Sequence, residues 1–413
     1  MKITYIHQYF VTPNNSGGVR SYEVAKQLVS MGHTVNMITS DRSLNSNSDW
    51  YNTVEDGIEV HWIPIPYSHS FGYYQRIKAF IKFSFKASLK AALIEADVIL
   101  ATSTPLSIGI PGIYASYKQL APLVFEVRDL WPTVPISLGI IKNPILIRLS
   151  KLFESYIYSR SEAIIALSPG MKNGVVNSGY SEKRVSVIPN FSDIDLFSSN
   201  SGKFSRVDEW NFDEPLLVYT GTFGMINGLS YLVELAQELR AINSNVIILL
   251  VGNGRERGYI SNLAKEYDVL NNNLFIEEAI KKSELPKLLA MASMSCNIVI
   301  DNKEVWNNSA NKFFDGLASG TPMLINSGGW QADLIETFNA GIVTHGLTLQ
   351  ESAVKIDKLL NDKEWIYESG GNAFNLGKKY FNKINLIRSI EDVLLKALAN
   401  KGHVTYKCGL NLQ

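Results

Sequence analysis

Two cysteines in 413 residues are too few for a disulfide framework, and Cys296 and Cys408 stand too far apart for a metal-ligand pair. Cys296 lies in an apolar run, Ser295 to Ile300, and reads as a buried core thiol. Neither sign of charge is in excess, since lysine plus arginine equal aspartate plus glutamate at 39 each, so no nucleic-acid partner is expected. No run of about 18 apolar residues occurs, so no segment is expected to cross a bilayer. The start, Met1-Lys2 and then a strand-like segment, is too polar and too short for a signal peptide, and a cytoplasmic setting is expected. The glycines are incomplete as a dinucleotide fingerprint. Gly17-Gly18-Val19-Arg20 lacks the third glycine of G-x-G-x-x-G, and in Gly252-Asn253-Gly254-Arg255-Glu256-Arg257-Gly258 the last glycine comes one position late. A nicotinamide cofactor is therefore not expected, and no nucleophilic triad pattern is visible.

What is present is a globular composition, 46% hydrophobic and 19% charged, at a length that exceeds one ordinary core. Short β-branched runs alternate with longer helical patterns, the alternation of a parallel sheet covered on both faces. Strands are expected near 2–9, 34–39, 58–63, 98–102, 123–127, 163–167 and 185–188, with helices near 21–31, 145–158 and 170–177. A polar stretch over 192–213, including Ser198-Ser199-Asn200-Ser201-Gly202, has the composition of a linker. The alternation then restarts, with strands near 216–220, 246–251, 274–276, 296–300, 323–325 and 342–344 and helices near 229–242, 255–267, 283–292 and 311–318. The class is α/β, with two doubly wound Rossmann-like domains, 1–198 and 199–380. A last helical segment in 381–413 is expected to pack back on the first. Ligands of such sheets bind beyond the C-terminal strand ends, so the cleft between the sheets is the expected site.

The segment Asn307-Asn308-Ser309-Ala310-Asn311-Lys312-Phe313-Phe314-Asp315 reads as a helix start with a cation and a carboxylate one turn apart. A helix N-terminus offers unpaired N–H groups and a positive dipole end, which suits a diphosphate, and a carboxylate suits a ribose diol. Taken alone, the same residues fit an ordinary amphipathic helix with a surface ion pair. Glu126-Val127-Arg128-Asp129-Leu130-Trp131-Pro132 places Arg128 and Asp129 at a strand end facing the expected cleft, where Asp129 would orient or deprotonate a hydroxyl. An internal ion pair is the other reading. His7, at the end of the first strand, and Arg20, at the start of the helix after the paired glycines, are candidates for the same side. His33 reads as structural. Asp193-Ile194-Asp195 has a spacing used in metal-dependent sugar transferases, but two carboxylates alone make a weak Mg²⁺ site. No metal is expected, and Asp193 reads as a hinge-orienting group. Residues 73–90 carry Arg76, Lys78, Lys82, Lys86 and Lys90, no acid, and interleaved Phe80, Ile81, Phe83 and Phe85. Such a helix suits an anionic bilayer surface, or simply a solvated face.

Several of these segments together resemble glycosyltransferase family 4, nucleotide-sugar transferases of the GT-B fold. They are the Gly17-Gly18 loop, Gly32-His33-Thr34-Val35, Ala166-Leu167-Ser168-Pro169-Gly170-Met171, Val187-Ile188-Pro189-Asn190 and Gly320-Thr321-Pro322. The Glu-Val-Arg-Asp-Leu-Trp-Pro and Ser-Ala-Asn-Lys-Phe-Phe-Asp forms are similar to the branch that builds bacterial O-antigen and capsule repeats, in particular transferases of N-acetyl-L-fucosamine and related amino sugars. The resemblance implies a UDP-sugar co-substrate, no cofactor, a polyprenyl-diphosphate-linked saccharide acceptor, and work at the inner face of the plasma membrane. It implies a donor site from Gly17, Gly18, Gly221, Thr222, Asn227, Gly252, Gly254, Arg255 and the run Asn308 to Phe313 with Asp315. Lys312 and Asp129 would be catalytic, and His7, Arg20 and Arg128 would lie on the acceptor side. Three departures stand out. The family's paired glutamates fall at Asn307 and Asp315, its loop Arg and Lys at Thr222 and Asn227, and its His-Asp at Arg128-Asp129. Lys312 is expected to replace one missing cation and Arg255 another. The anomeric outcome stays open. The alternatives are a UDP-sugar 2-epimerase of the same architecture and a non-catalytic glycan-binding protein.

Overall fold

The computed structural model describes residues 1–13, 18–42, 49–67, 71–199 and 214–400. Its strands form two sheets. The first contains β1 (Lys2–Ile6), β2 (Thr34–Asp41), β3 (Tyr51–Glu55), β4 (Ile58–Pro64), β5 (Val98–Thr102), β6 (Leu123–Val127), β7 (Ala163–Ala166) and β8 (Val185–Val187). Their order is β3-β4-β2-β1-β5-β6-β7-β8. The second contains β9 (Leu216–Thr220), β10 (Ile247–Val251), β11 (Leu274–Glu277), β12 (Met294–Asn297), β13 (Met323–Ile325) and β14 (Gly341–Val343), in the order β11-β10-β9-β12-β13-β14. Every pairing is parallel except that of β3 with β4. The two-sheet α/β architecture agrees with the alternation read from the sequence. Central strands such as β5 and β6 are buried along their whole length, as helices on both faces require. In each sheet the strand order reverses beside the first strand, at β1/β5 and at β9/β12, and crevices open at such points.

Differences from the sequence reading have local causes. The edge strand β3 was not expected. It forms a hairpin with β4 through Asp56 and Gly57, both at positive φ, and the Asp-Gly pair was the available signal. The strand expected at 296–300 ends at Asn297, because the Val299 N–H donates to Asn326 Oδ1 at 3.0 Å instead of continuing the ladder. The helix expected over 283–292 is trimmed to α10 (Leu285–Leu289) behind a short 3₁₀ turn. Of the expected linker, residues 192–199 include α7 (Ile194–Ser199), and residues 200–213 lie outside the described residues.

One face of the first sheet is covered by α2 (Tyr73–Ala91), α3 (Gly109–Gln119), α5 (Pro144–Ser159) and α6 (Pro169–Asn177), whose Phe83, Ala115, Ile157 and Met171 pack with Ile99, Phe125 and Ile164. The opposite face is covered by α1 (Arg20–Ser30) and α16 (Lys383–Ala399), through Leu28, Ile390 and Leu394 against Val35, Leu100 and Val124. The last helix thus lies on the first sheet, where His33 Nε2 and Glu391 Oε1 meet at 2.6 Å. In the second sheet, α8 (Ser230–Ala241), α9 (Arg257–Glu266) and α14 (Leu349–Leu360) share one core with its strands, including the buried Cys296. On the other side stand α7, α10, α12 (Asn311–Ser319), α13 (Trp330–Phe338) and α15 (Lys363–Tyr380).

The halves meet through α4 (Thr133–Ser137) and α11 (Lys303–Trp306), and through polar bonds across the seam. Ser168 Oγ donates to the Asn307 carbonyl at 2.5 Å, the Asn190 N–H to Ser309 Oγ at 3.1 Å, and Ser192 Oγ to the Phe314 carbonyl at 2.9 Å. These bonds set the loops that follow β7 and β8 directly against the start of α12.

Candidate functional site

A cavity of about 900 Å³ opens between the two sheets, at the C-terminal ends of their strands. Both halves line it: Gly18, Glu23 and Arg42 from the first, and Gly221, Lys282 and Lys312 among those from the second.

The second half supplies two stacked loops and one helix start. The loop after β9 begins at Gly221, whose N–H bonds the Val251 carbonyl at 3.0 Å, and the Phe223 N–H bonds the Asn253 carbonyl at 2.9 Å. The loops after β9 and β10 therefore touch along their backbones. A β-carbon on Gly252 would fall 1.8 Å from the Gly221 carbonyl oxygen, so only glycine permits this approach. Against these loops stands the first turn of α12. Its cap position, Ala310, has no side chain that accepts from the first-turn N–H groups. Ala310, Asn311 and Lys312 all line the cavity. Lys312 Nζ donates to Asn227 Oδ1 at 2.8 Å and to the Tyr219 hydroxyl at 3.1 Å, and it lies 4.5 Å above the Tyr219 ring. Burial pulls its ammonium down to about 8, with Cys296 acting weakly the other way. Asn227, the position where a cation was expected, thus accepts a hydrogen bond from Lys312.

One turn on, Asp315 is buried and lines the cavity. Its carboxylate pairs with Lys282 Nζ. Burial pushes its pKa up, Lys282 pulls it back, and Asp193 pushes it up again, for a net rise. Lys281 and Lys282 were missed by the sequence reading, although two lysines just past the C-terminal end of β11 were a usable signal. Asp193 itself accepts from Lys383 Nζ at 2.8 Å and from the Leu196 N–H at 3.3 Å, so it is an ion-pair and capping group.

The first half contributes less directly. A β-carbon on Gly18 would stand 3.0 Å from Asn311 Nδ2 and 3.8 Å from Arg128 Nη2, which puts the Arg128 side chain between the two halves. Asp129 is solvent-accessible but outside the cavity lining. Desolvation of its carboxyl group raises it to about 6 against the pull of Arg128, even though part of the residue faces solvent.

Several sequence candidates have other placements. Arg20 borders the cavity, but its side chain is spent inside: it donates to Glu126 Oε1 at 2.8 and 3.0 Å, to the Pro189 carbonyl at 2.7 Å and to the Ile188 carbonyl at 3.1 Å. It ties α1 to β6 and to the end of β8, as a strut and not as an acceptor contact. His7 is buried beside Ser21 Oγ at 2.8 Å, and burial, with Arg128 and Arg42 adding to it, holds it well below the usual histidine range. It is neutral and is not part of the lining. Phe313 is fully buried in the core with Phe314 and Phe381, because a residue one step from Lys312 faces another side of the helix. Asn308 and Ser309 sit at the seam, where the Asn308 carbonyl accepts from Trp330 Nε1 at 3.0 Å. Asn307 packs there too: a β-carbon on Gly170 would fall 1.8 Å from its Oδ1. Thr222, Gly254 and Arg255 line the cavity, and Gly17 lies outside the described residues.

Residues 17–190 match the family described as "Glycosyl transferase 4-like domain", and residues 201–369 the one described as "Glycosyl transferases group 1". A curated relative, the putative colanic acid biosynthesis glycosyl transferase WcaI of Escherichia coli (strain K12), is 23% identical over 190 residues. That match spans 44% of this chain and 45% of the relative. In fold the chain is similar to the sucrose-phosphate synthase of Thermosynechococcus elongatus, with a TM-score of 0.76 and 16% identity, covering 96% of this chain and 99% of that one. It is also similar to Anabaena Alr3699/HepE, solved in complex with UDP and glucose, with a TM-score of 0.69 and 17% identity over 96% of this chain and 100% of that one.

Proposed function

We propose, from the premise that this chain belongs to the GT-B glycosyl transferases, with a 4-like domain followed by a group 1 domain, that it moves a sugar from a UDP-sugar to a lipid-linked saccharide. The observation that carries this reading is the uncapped start of α12, with Lys312 beside it, aimed into the cavity between the sheets. A leaving diphosphate builds negative charge as the glycosidic bond breaks. A fixed ammonium and a helix N-terminus stabilise that charge without having to reorganise. Asp315 is placed to accept from ribose hydroxyls, with Lys282 keeping its carboxylate in position. Asp129 is the acceptor-side base in this reading. With a carboxyl near 6 it is mostly ionised at neutral pH, the form that takes a hydroxyl proton.

UDP is favoured because HepE, similar in fold, is described with UDP bound. A bacterial surface polysaccharide is favoured because WcaI is described in colanic acid biosynthesis. Within that setting the O-antigen-like sequence forms favour an N-acetylated deoxy amino sugar such as N-acetyl-L-fucosamine as the transferred group, and a polyprenyl diphosphate as the acceptor's carrier. The enzyme would then work on the inner face of the plasma membrane.

The test is a UDP-release assay over a panel of UDP-sugars with a bacterial lipid extract as acceptor, together with calorimetric UDP binding. Lys312→Ala and Asp315→Ala are each expected to weaken UDP at least about ten-fold, the loss of roughly one charge-assisted hydrogen bond. Unchanged affinity in both variants rejects the donor site. Interconversion of a UDP-sugar with no UDP release replaces transfer by epimerisation.

A further inference from the structure

The exposed apolar surface of this protein is unevenly distributed. Thirteen of the 27 large apolar side chains exposed among the described residues stand on three helices, five on α2, three on α3 and five on α5. By contrast α16, with 17 residues, exposes only Leu395. The three helices pack side by side on the same face of the first sheet, so their outer surfaces look the same way.

The rows are regular. On α2, Ile77, Ile81, Phe85 and Leu89 recur every four residues and are exposed, with Phe85 at 64%. Phe83 and Ala87, on the other side of the helix, fill the core. On α5, Ile145, Leu149, Leu152 and Tyr156 recur at steps of four and three, opposite the buried Glu154, Ile157 and Tyr158. From Pro144 to Phe153 no residue of α5 is buried at all, so this half of the helix stands proud of the body. On α3, Ile110, Tyr114 and Tyr117 continue the surface between them. An apolar row on the solvent side of a helix has no role in the fold of the monomer.

We propose that the outer face of α2, α3 and α5 docks on an anionic lipid bilayer, with its apolar rows entering the headgroup region. Charge selects this occupant. Lys78, Lys82, Lys118, Arg148 and Lys151 are exposed on the three helices, and their only acid, Glu154, points into the protein. Such a surface repels a second copy of itself and attracts anionic headgroups. The order of the rows fits as well, because Lys78 and Lys82 flank Ile77 and Ile81 as cations flank the apolar face of an interfacial helix. Lys86 and Lys90 are engaged with Asp49 at 3.9 Å and with the Trp50 ring at 5.6 Å, so the four-lysine stripe is not the contact by itself. No helix among the described residues is long and apolar enough to cross a membrane, which leaves shallow insertion. α2 and α5 both start at the sheet edge on which the cavity opens, so a docked bilayer borders the cleft. The inference deepens the lipid-linked acceptor of the proposed reaction, but it stands on this surface and not on the donor site.

The experiment is vesicle flotation of the full chain with phosphatidylglycerol/phosphatidylethanolamine vesicles and with phosphatidylcholine vesicles, at low salt, where the screening length is about 10 Å or more, and at about 0.5 M salt, where it falls to between roughly 3 and 8 Å. The wild type is expected on anionic vesicles, with part of the binding surviving high salt. The double change Leu149→Glu, Leu152→Glu is expected to lower binding at least ten-fold at both salts. Lys78→Glu, Lys82→Glu is expected to remove chiefly the salt-sensitive part, at roughly five-fold per lysine or more. The emission that Leu149→Trp adds to that of the seven native tryptophans, taken as the difference from the wild type, is expected to shift to the blue on anionic vesicles, a reading of insertion at this position. UDP affinity serves as the folding control, since none of these residues lines the cavity. If UDP binding fails while flotation holds, the donor reading falls and docking stands. Docking is overturned if the wild type stays with the unbound fraction, if the Leu149/Leu152 variant floats as the wild type does, or if the wild type is instead a dimer that this variant dissociates.

Discussion

Lys312 is a lysine kept where its charge is hardest to hold. Burial in the cleft pulls it down to about 8, and the groups it touches, Asn227 Oδ1 and the Tyr219 hydroxyl, are neutral. A cation with no carboxylate partner among the described residues is available to an incoming anion, which a cation in an internal ion pair such as Arg20 is not. The pH sign follows directly. Below about 8 the ammonium is charged and, in the proposed donor site, would attract a diphosphate; above it the group is neutral and that attraction is lost. UDP affinity measured by calorimetry is therefore expected to weaken by about ten-fold between pH 7 and pH 9. Lys312→Arg, charged throughout, is expected to show a flat profile. The same dependence in the arginine variant would move the titrating group elsewhere. Lys312 and Asp315 were legible in sequence because three residues in a helix are neighbours by geometry. Lys282 was not, because it reaches Asp315 from 33 residues away, with α10, β12 and α11 in between.

At the scale of elements, the second half's side of the cleft, the proposed donor side, is a set of strand ends held by backbone contact. The loops after β9 and β10 close on each other at Gly221 and Gly252. Gly252→Ala would drive a methyl group into the Gly221 carbonyl, so the loops must separate. A loss of about 1–3 kcal/mol in unfolding free energy is expected by denaturant titration, with weaker UDP binding, because the Gly221–Asn227 loop also carries the partner of Lys312. An unaltered denaturation midpoint would show that the loops have slack. These elements were readable in outline, since buried parallel strands appear as short apolar runs bounded by glycine. Their ends were less readable. Where β12 stops depends on the Asn326 side chain, 27 residues later, and no local pattern encodes that. The hairpin of β3 shows the opposite case: Asp56-Gly57 was a local signal and was passed over.

For the molecule as a whole, α16 decides how the halves are joined. Its chain leaves the second half at Phe381, whose carbonyl accepts from the Ser192 N–H at 2.8 Å, and lies back on the first sheet. At that crossing Lys383 binds Asp193 at 2.8 Å and Glu23 at 3.0 Å, and Asp193 and Glu23 also line the cavity. Burial lowers the pKa of Lys383, but the two carboxylates together outweigh it and the net shift is upward. Lys383→Met leaves two partly buried carboxylates without their cation. A loss of about 2 kcal/mol is expected by denaturant unfolding at neutral pH, less than a fully buried pair would lose because all three side chains retain some solvent. Unfolding unchanged within error would show that solvent already screens the pair.

The sequence by itself determined the class, the two sheets, and the turn of helix that faces the cleft. Those follow from periodicity and from spacings of three and four, which act within a single element. Tertiary structure decided which charges are free. It committed Arg20 to Glu126, turned Phe313 into the core, placed Asn307 at the seam against Gly170, and brought Lys282 to Asp315. It also left the outer rows of α2 and α5 exposed; the basic aromatic pattern of α2 had suggested an outward face, whereas nothing in the helical pattern of 145–158 distinguished an exposed row from a core-facing one. The reason is physical. A side chain's role depends on what lies opposite it, and in a doubly wound protein the opposite element comes from tens or hundreds of residues away.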